Sequence, residues 1–153
     1  MNYQFSKRVF YPSLYTRNSN IIERKLFSIS EYINKNISSN ELIWGLDEPR
    51  GYYIKNTNNR FIQDNYMLTF GYLLKNKDKK DVIKFLKNYN IKYFLWNRDS
   101  SFEKIIWANL PNGSNEYKNL TLNNHEFFLD FKRNNMELIT EEGGYYLYKL
   151  KEK

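Results

Sequence analysis

The sequence predicts a three-layer α/β/α sandwich with a mostly parallel sheet and a C-terminal antiparallel hairpin. Three observations carry this expectation. Strand-like apolar runs alternate with stretches of helical period, which argues for parallel strands joined by helices lying on the sheet faces. The run Glu41 to Leu46 is short and continuously apolar rather than alternating, as a strand covered on both faces must be. Two further runs near the C terminus are split by Gly143-Gly144, the strongest hairpin signal in the chain. Its 153 residues, 41% hydrophobic and 18% aromatic with only Gly 6 and Pro 3, supply enough apolar surface for one core and exclude collagen-like, linker-like and disordered classes. The expected organisation is an irregular arm over residues 1–17 followed by a single α/β domain over residues 18–153.

Each element has its own warrant. Asn2 to Arg17 is aromatic and basic and is broken by Pro12. Asn20 with Glu23 makes a capping-box-like start, after which Ile22, Leu26, Ile29 and Ile33 recur at helical spacing to about Asn36. The first strand, Glu41 to Leu46, stops at the turn residues Asp47-Glu48-Pro49-Arg50-Gly51. Tyr52 to Asn56 is a short helix or an extended piece, Asn56 to Asn59 a turn, and Arg60 to Asp64 a second strand. Asp78 is placed to cap a helix in which Val82, Phe85, Leu86 and Tyr89 fall at i, i+3, i+4 and i+7. Asn88 to Asn90 breaks that helix before the strand Ile91 to Trp96. Ser101 to Asn109 reads as a short helix closed by Pro111 and Gly113, and Asn112 to Asn124 as a loop with Leu120 and Leu122 turned inward. His125 to Asn134 is helical, leading into the hairpin of Met136 to Thr140 and Tyr145 to Leu150.

A net charge of +7 permits attraction to phosphate-bearing partners, whether nucleic acid, anionic lipid or a lipid-linked diphosphate. The densest lysines, Lys75, Lys77, Lys79 and Lys80, read as a solvated basic face. With Cys 0 there are no disulfides and no thiolate metal ligands. Met1 to Phe10 is interrupted by Gln4, Ser6, Lys7 and Arg8, so it contains neither a signal-peptide core nor a membrane span, and on its own this chain is expected to stay in the cytoplasm.

In open α/β sheets ligands bind beyond the carboxyl ends of the strands, which selects Asp47, Glu48 and Arg50, then Asp64, then Arg98 and Asp99 as ligand-binding candidates. Carboxylates converging there would suit a hard cation such as Mg²⁺, and the arginines a phosphate or carboxylate; the same positions are where any such domain puts polar turn residues. No catalytic set and no cofactor motif is present. His125 is the single histidine, no G-x-S-x-G presents a serine, and neither G-x-G-x-x-G nor G-x-x-x-x-G-K-[ST] occurs. Glu141 and Glu142 are neighbours at a hairpin tip, where they cannot flank a bond from two sides. Tyr93, Phe94, Trp96, Phe85, Phe127 and Phe131 interleave with basic residues as in single-strand nucleic-acid binders, but they fall on the faces that the core requires. Three glycosylation-like sequons, at Asn36, Asn112 and Asn119, match as chance matches do in an Asn-rich chain.

The ordered string adds a resemblance. Ile29-Ser30-Glu31-Tyr32-Ile33-Asn34-Lys35-Asn36-Ile37, then Leu42-Ile43-Trp44-Gly45 and Glu48-Pro49-Arg50-Gly51-Tyr52-Tyr53-Ile54, resembles the start of a known domain. It is the soluble C-terminal domain that follows the last membrane span in bacterial polytopic glycosyltransferases of the mannosyltransferase and aminoarabinose-transferase type (GT-C superfamily). Lys84 to Leu95 resembles that family's next helix-strand unit, and Met136 to Ile139 with Gly143 to Leu150 is similar to its terminal hairpin. The likeness runs from about Tyr11 onward and rests on patterns that shape the fold. It implies a domain on the outer face of the cell membrane, partnered by the membrane-embedded portion of its parent and by a lipid-linked sugar or glycan acceptor. In that family the catalytic acids lie in membrane loops outside this domain, so the resemblance carries no catalytic residue onto this chain. Two other classes remain open on the residues alone: a small Mg²⁺-dependent hydrolase or transferase, and a basic nucleic-acid-binding module.

Overall fold

The computed structural model describes residues 15–48, 53–55, 60–101 and 115–152. The order is helix α1 (Tyr15–Asn36), strand β1 (Leu42–Leu46), strand β2 (Phe61–Asp64), a 3-10 turn (Asn65–Met67) and helices α2 (Leu68–Asn76) and α3 (Lys79–Asn88). Strand β3 (Ile91–Asn97), helix α4 (Asn115–Asn135) and strands β4 (Met136–Glu142) and β5 (Tyr145–Leu150) follow. Among the described residues the strands make one five-stranded sheet in the order β2-β1-β3-β5-β4. β2, β1 and β3 run parallel, with Trp44 opposite both Ile62 and Phe94, and β5 joins β3 antiparallel with Trp96 opposite Tyr146. The expected α/β sandwich with a parallel start and an antiparallel end is what forms. The last strand lies inside the sheet, and β4 makes the edge.

Period-two alternation in the central strands builds two cores. Trp44, Leu46, Phe94, Trp96, Tyr146 and Tyr148 face one side, where α2, α3 and α4 add Phe70, Val82, Leu86, Phe128 and Phe131. Ile43, Leu95, Tyr145 and Leu147 face the other side and meet Leu26, Ile29 and Ile33 of α1. The helical spacing of Leu26, Ile29 and Ile33 in the sequence is therefore the stripe that covers the sheet. Phe70 is fully buried, with ring centroids 5.3–5.5 Å from Trp44, Phe94 and Phe131 and 6.4 Å from Phe128.

Several expectations change. α1 begins at Tyr15, five residues before the Asn20 capping pattern, because no proline or glycine follows Pro12 to stop it. α2 carries no helix signal in the sequence. It has only nine residues, and its N-terminal flank is Tyr66 and Met67, both left-handed at φ 59° and 50°, rather than a capping side chain. Asp78 occupies the N-cap position of α3 but makes no side-chain cap; its backbone carbonyl accepts from Val82 N–H at 3.0 Å. α4 begins at Asn115, so residues 115–124 are helix where the sequence suggests loop, and His125 lies inside the helix rather than at its start. The asparagines of this stretch have low intrinsic propensity, and tertiary contact overrides it: Thr121 and Asn124 are buried, and Asn124 Nδ2 donates to Tyr66 O. Leu120 stays exposed and Leu122 is half-buried. Tyr89 is likewise exposed at 60%, its ring tilted 44° against that of Phe85 with centroids 4.7 Å apart. The chain is already helical at 98–101, and the helix expected over Ser101 to Asn109 otherwise lies outside the described residues. The hairpin forms as expected, with Gly143 and Gly144 at φ 55° and 91°, the paired positive values of a two-residue I′ turn.

Replacing Phe70 with alanine removes the ring that joins β1, β3 and α4, and is expected to cost about 3–5 kcal/mol, read as a lowered urea midpoint with an unchanged slope.

Candidate functional site

β1, β2 and β3 end side by side because they are parallel and adjacent, and this places Asp47, Glu48, Asp64 and Asn97 along one rim. All four are buried, Asp47 and Asp64 to 4% and 3% exposure. A buried carboxylate is costly unless it is hydrogen-bonded, and these are. Asp64 Oδ1 accepts from Thr69 N–H at 3.0 Å, while Oδ2 accepts from Phe70 N–H at 2.8 Å and from the Trp44 indole at 3.0 Å. Asp64 thereby ties the first turn of α2 to the sheet, satisfying backbone donors that have no partner within the helix. Burial pushes its carboxyl above the usual range; those three donors oppose the shift, and the neighbouring Asp47 carboxylate adds to it.

Asp47, at φ 55°, turns back at the end of β1. Its backbone N–H donates to Asp64 O at 3.0 Å, its Oδ1 accepts from Tyr66 N–H at 2.7 Å, and its Oδ2 accepts from Ser101 Oγ at 2.5 Å. Ser101 Oγ also accepts from the Trp96 indole at 2.8 Å, so a chain of polar contacts runs from Trp96 through Ser101 to Asp47. Glu48 is fully buried, and its Oε2 accepts from Asn97 Nδ2 at 2.9 Å, which also reaches Tyr145 Oη at 3.3 Å. Asn97 Oδ1 accepts from Ser100 N–H at 3.0 Å, closing the turn after β3.

Arg98 and Asp99 belong to a second group, against the hairpin. Arg98 N–H donates to Gly144 O at 3.0 Å, its guanidinium lies 4.9 Å from the Tyr146 ring centroid and donates to Tyr146 Oη, and its Nε is 3.6 Å from Asp99 Oδ1. Beyond it, Lys132 Nζ sits 4.9 Å from the Trp96 ring and 5.2 Å from that of Tyr148, and burial lowers its pKa. Burial together with the hydroxyl of Tyr146 pushes the Tyr148 phenol up to about 12. His125 lies 5.9 Å from the Trp96 ring. Burial holds it below its ordinary value, the Asp47 carboxylate opposing and the Lys132 ammonium adding to the shift.

The strand-end candidates thus divide. Asp47 and Asp64 come together at the ends of β1 and β2, Glu48 turns to Asn97, Arg98 and Asp99 stand apart with the hairpin, and Arg50 lies outside the described residues. Among the described residues no three His, Asp or Glu side chains form a group able to hold a metal ion, and the oxygens of Asp47 and Asp64 point at protein donors. The nucleic-acid aromatics are also committed to packing: Phe94, Trp96 and Phe131 are buried, and Tyr93, Phe85 and Phe127 are partly so. Glu141 and Glu142 are exposed at the hairpin tip. Trp44, Asn97 and Ser101 were not selected by sequence reasoning, since a tryptophan in an apolar run reads as core and an Asn or Ser after a strand reads as turn.

No family model matches the chain, and no curated protein does. Among solved structures the chain is similar to the C-terminal globular domain of an oligosaccharyltransferase from Archaeoglobus fulgidus. The TM-score is 0.50 at 9% identity, and the match covers 81% of this chain and 95% of that domain. The shared property is the fold. Among the described residues no helix is long and apolar enough to cross a membrane.

Asp64→Ala strands two buried donors, Phe70 N–H and the Trp44 indole, and the part-buried Thr69 N–H, and is expected to cost about 3 kcal/mol or more, whereas the exposed Asp99→Ala costs less than about 0.5 kcal/mol; chemical denaturation of both variants checks the contrast. The single imidazole gives a clean titration. His125 is expected to titrate below 6.5 in the folded protein by proton NMR. The unfolded chain then binds the proton more readily, so this group's stabilising contribution is complete above about pH 6.5 and is lost as pH falls through the folded value. His125→Gln should flatten that part of the stability profile.

Proposed function

We propose that this chain is a non-catalytic extracytoplasmic domain of a bacterial-type membrane glycosyltransferase that takes sugar from a polyprenyl-phosphate carrier, and that it covers the mouth of the active site or docks the acceptor. The observation that carries this reading is the shared fold, which spans 95% of an oligosaccharyltransferase's C-terminal globular domain. It is supported by the independent resemblance of the ordered sequence string to the corresponding domain of polytopic glycosyltransferases. The strand-end polar groups support a role without chemistry. Asp47, Glu48 and Asp64 hold the turns after β1, β2 and β3 in place, and carboxylate oxygens already bonded to protein donors are not presented to a substrate or a metal ion. In this reading Asp47, Glu48 and Asp64 shape the contact surface, while Arg50, Arg98 and Asp99 supply the side chains that would meet a phosphate-bearing or hydroxyl-rich ligand.

The test is fractionation of cells making the native gene product, detected with an antibody to this domain. The antigen is expected in the membrane fraction and is expected to be cleaved by protease added outside spheroplasts. Antigen found only in the cytosol, in a species no longer than this chain, overturns the reading.

A further inference from the structure

Helices α2 and α3, joined by Lys77 and Asp78, carry basic and apolar side chains on their exposed stripes. On α3 the buried residues Val82 and Leu86 point at the sheet, which leaves Lys80, Lys84 and Lys87 at i, i+4 and i+7 on the opposite, exposed stripe. On α2 the buried residues Phe70, Gly71 and Leu73 point inward, and Leu68, Tyr72 and Lys75 make the corresponding exposed stripe. Residues 75–88 hold six lysines against two aspartates, an excess of four positive charges where the whole chain carries +7. Every one of those lysines is exposed, and among the described residues Lys79 alone is paired with a carboxylate, Asp130, at 2.5 Å. The exposed stripe of α2, in the same helix pair, adds apolar side chains: Leu68 at 47% and Tyr72 at 66%.

A solvated basic face has no use for exposed Leu and Tyr, and a core-facing helix has none for an unpaired lysine row. A surface that offers both together fits a partner with fixed negative charge above an apolar layer, which is the chemistry of an anionic phospholipid headgroup region. Tyrosine suits that depth because its ring is apolar and its hydroxyl is polar. We infer that the α2–α3 hairpin is a membrane-docking surface that rests on anionic lipid. The choice of a membrane as occupant rests on the proposed attachment to a membrane enzyme. Since α1 covers the other side of the sheet, this docking would fix which face of the domain turns away from the bilayer and is open to an acceptor.

The experiment is sedimentation of the 153-residue chain with phosphatidylcholine vesicles containing about one third phosphatidylglycerol. Wild type is expected to bind these vesicles at low salt, to release as salt rises, and to ignore pure phosphatidylcholine. The triple substitution Lys80→Gln, Lys84→Gln, Lys87→Gln is expected to weaken partition roughly a hundredfold, and Tyr72→Ser to weaken it further at high salt, where the apolar part dominates. A control triple of equal charge change elsewhere, Lys35→Gln, Lys118→Gln, Lys151→Gln, should lose far less; circular dichroism confirms that both fold. Equal loss in the two triples overturns the surface, because net charge alone would then explain binding. So does the absence of vesicle binding, or tighter binding to duplex DNA than to vesicles at the same salt. A domain that fractionates with membranes but ignores vesicles keeps the attachment to a parent enzyme and removes only this surface; one that binds vesicles but resides in the cytosol does the reverse.

Discussion

Alternate side chains of β1, β3 and β5 enter opposite cores, and that two-sided burial constrains the rest of the molecule. A sheet with two apolar faces must be covered twice, so α1 takes one face and α2, α3 and α4 take the other. It also limits where polar backbone can go. Strands packed between helix layers can release their polar groups only at their ends, and β1, β2 and β3 end together because they are parallel. The rim of Asp47, Glu48, Asp64 and Asn97 follows from the topology.

What that rim does is decided by its donors. A ligand site at the switch point of an open sheet usually leaves some polar groups free to meet a ligand. Here the turns after the strands spend them on the protein itself: Asp64 gathers the start of α2, Asp47 receives Tyr66 and Ser101, and Glu48 receives Asn97. Two consecutive left-handed residues, Tyr66 and Met67, are sustained by these contacts, since Tyr66 is held through its N–H by Asp47 and through its carbonyl by Asn124. Among the described candidates at this end, Arg98 and Asp99 are the less buried: Arg98 donates to Tyr146 of the hairpin and pairs with the exposed Asp99.

The likeness to an archaeal oligosaccharyltransferase domain at 9% identity has the same origin. Period-two strands, helical stripes and a terminal hairpin can be written with many residues, so two chains can share a sandwich of this kind with few identical side chains. An Asn-, Lys- and Tyr-rich chain fills the pattern with aromatics. Phe70, Phe94, Phe128, Phe131 and Trp44 occupy one core, and the tyrosines of β5 line both faces.

The sequence by itself determined the layer architecture, four of the strands nearly to the residue, the stripe of α1, the helix and strand of α3 and β3, and the Gly-Gly hairpin. These are local signals: apolar periodicity and turn chemistry depend on near neighbours in the chain. Only the tertiary structure decided α2 and the first ten residues of α4. The former takes its cap from Asp64 at the end of β2 rather than from its own N-cap residue, and the latter has poor propensity; the two pack on each other, with Asn124 against Gly71 and bonded to Tyr66. The tertiary structure also decided the meaning of the strand-end acids. Their positions could be read from the sequence, but whether a carboxylate faces solvent or a row of backbone N–H groups depends on which distant segments fold against it. That is a matter of three-dimensional proximity, which spacing along a single chain does not encode.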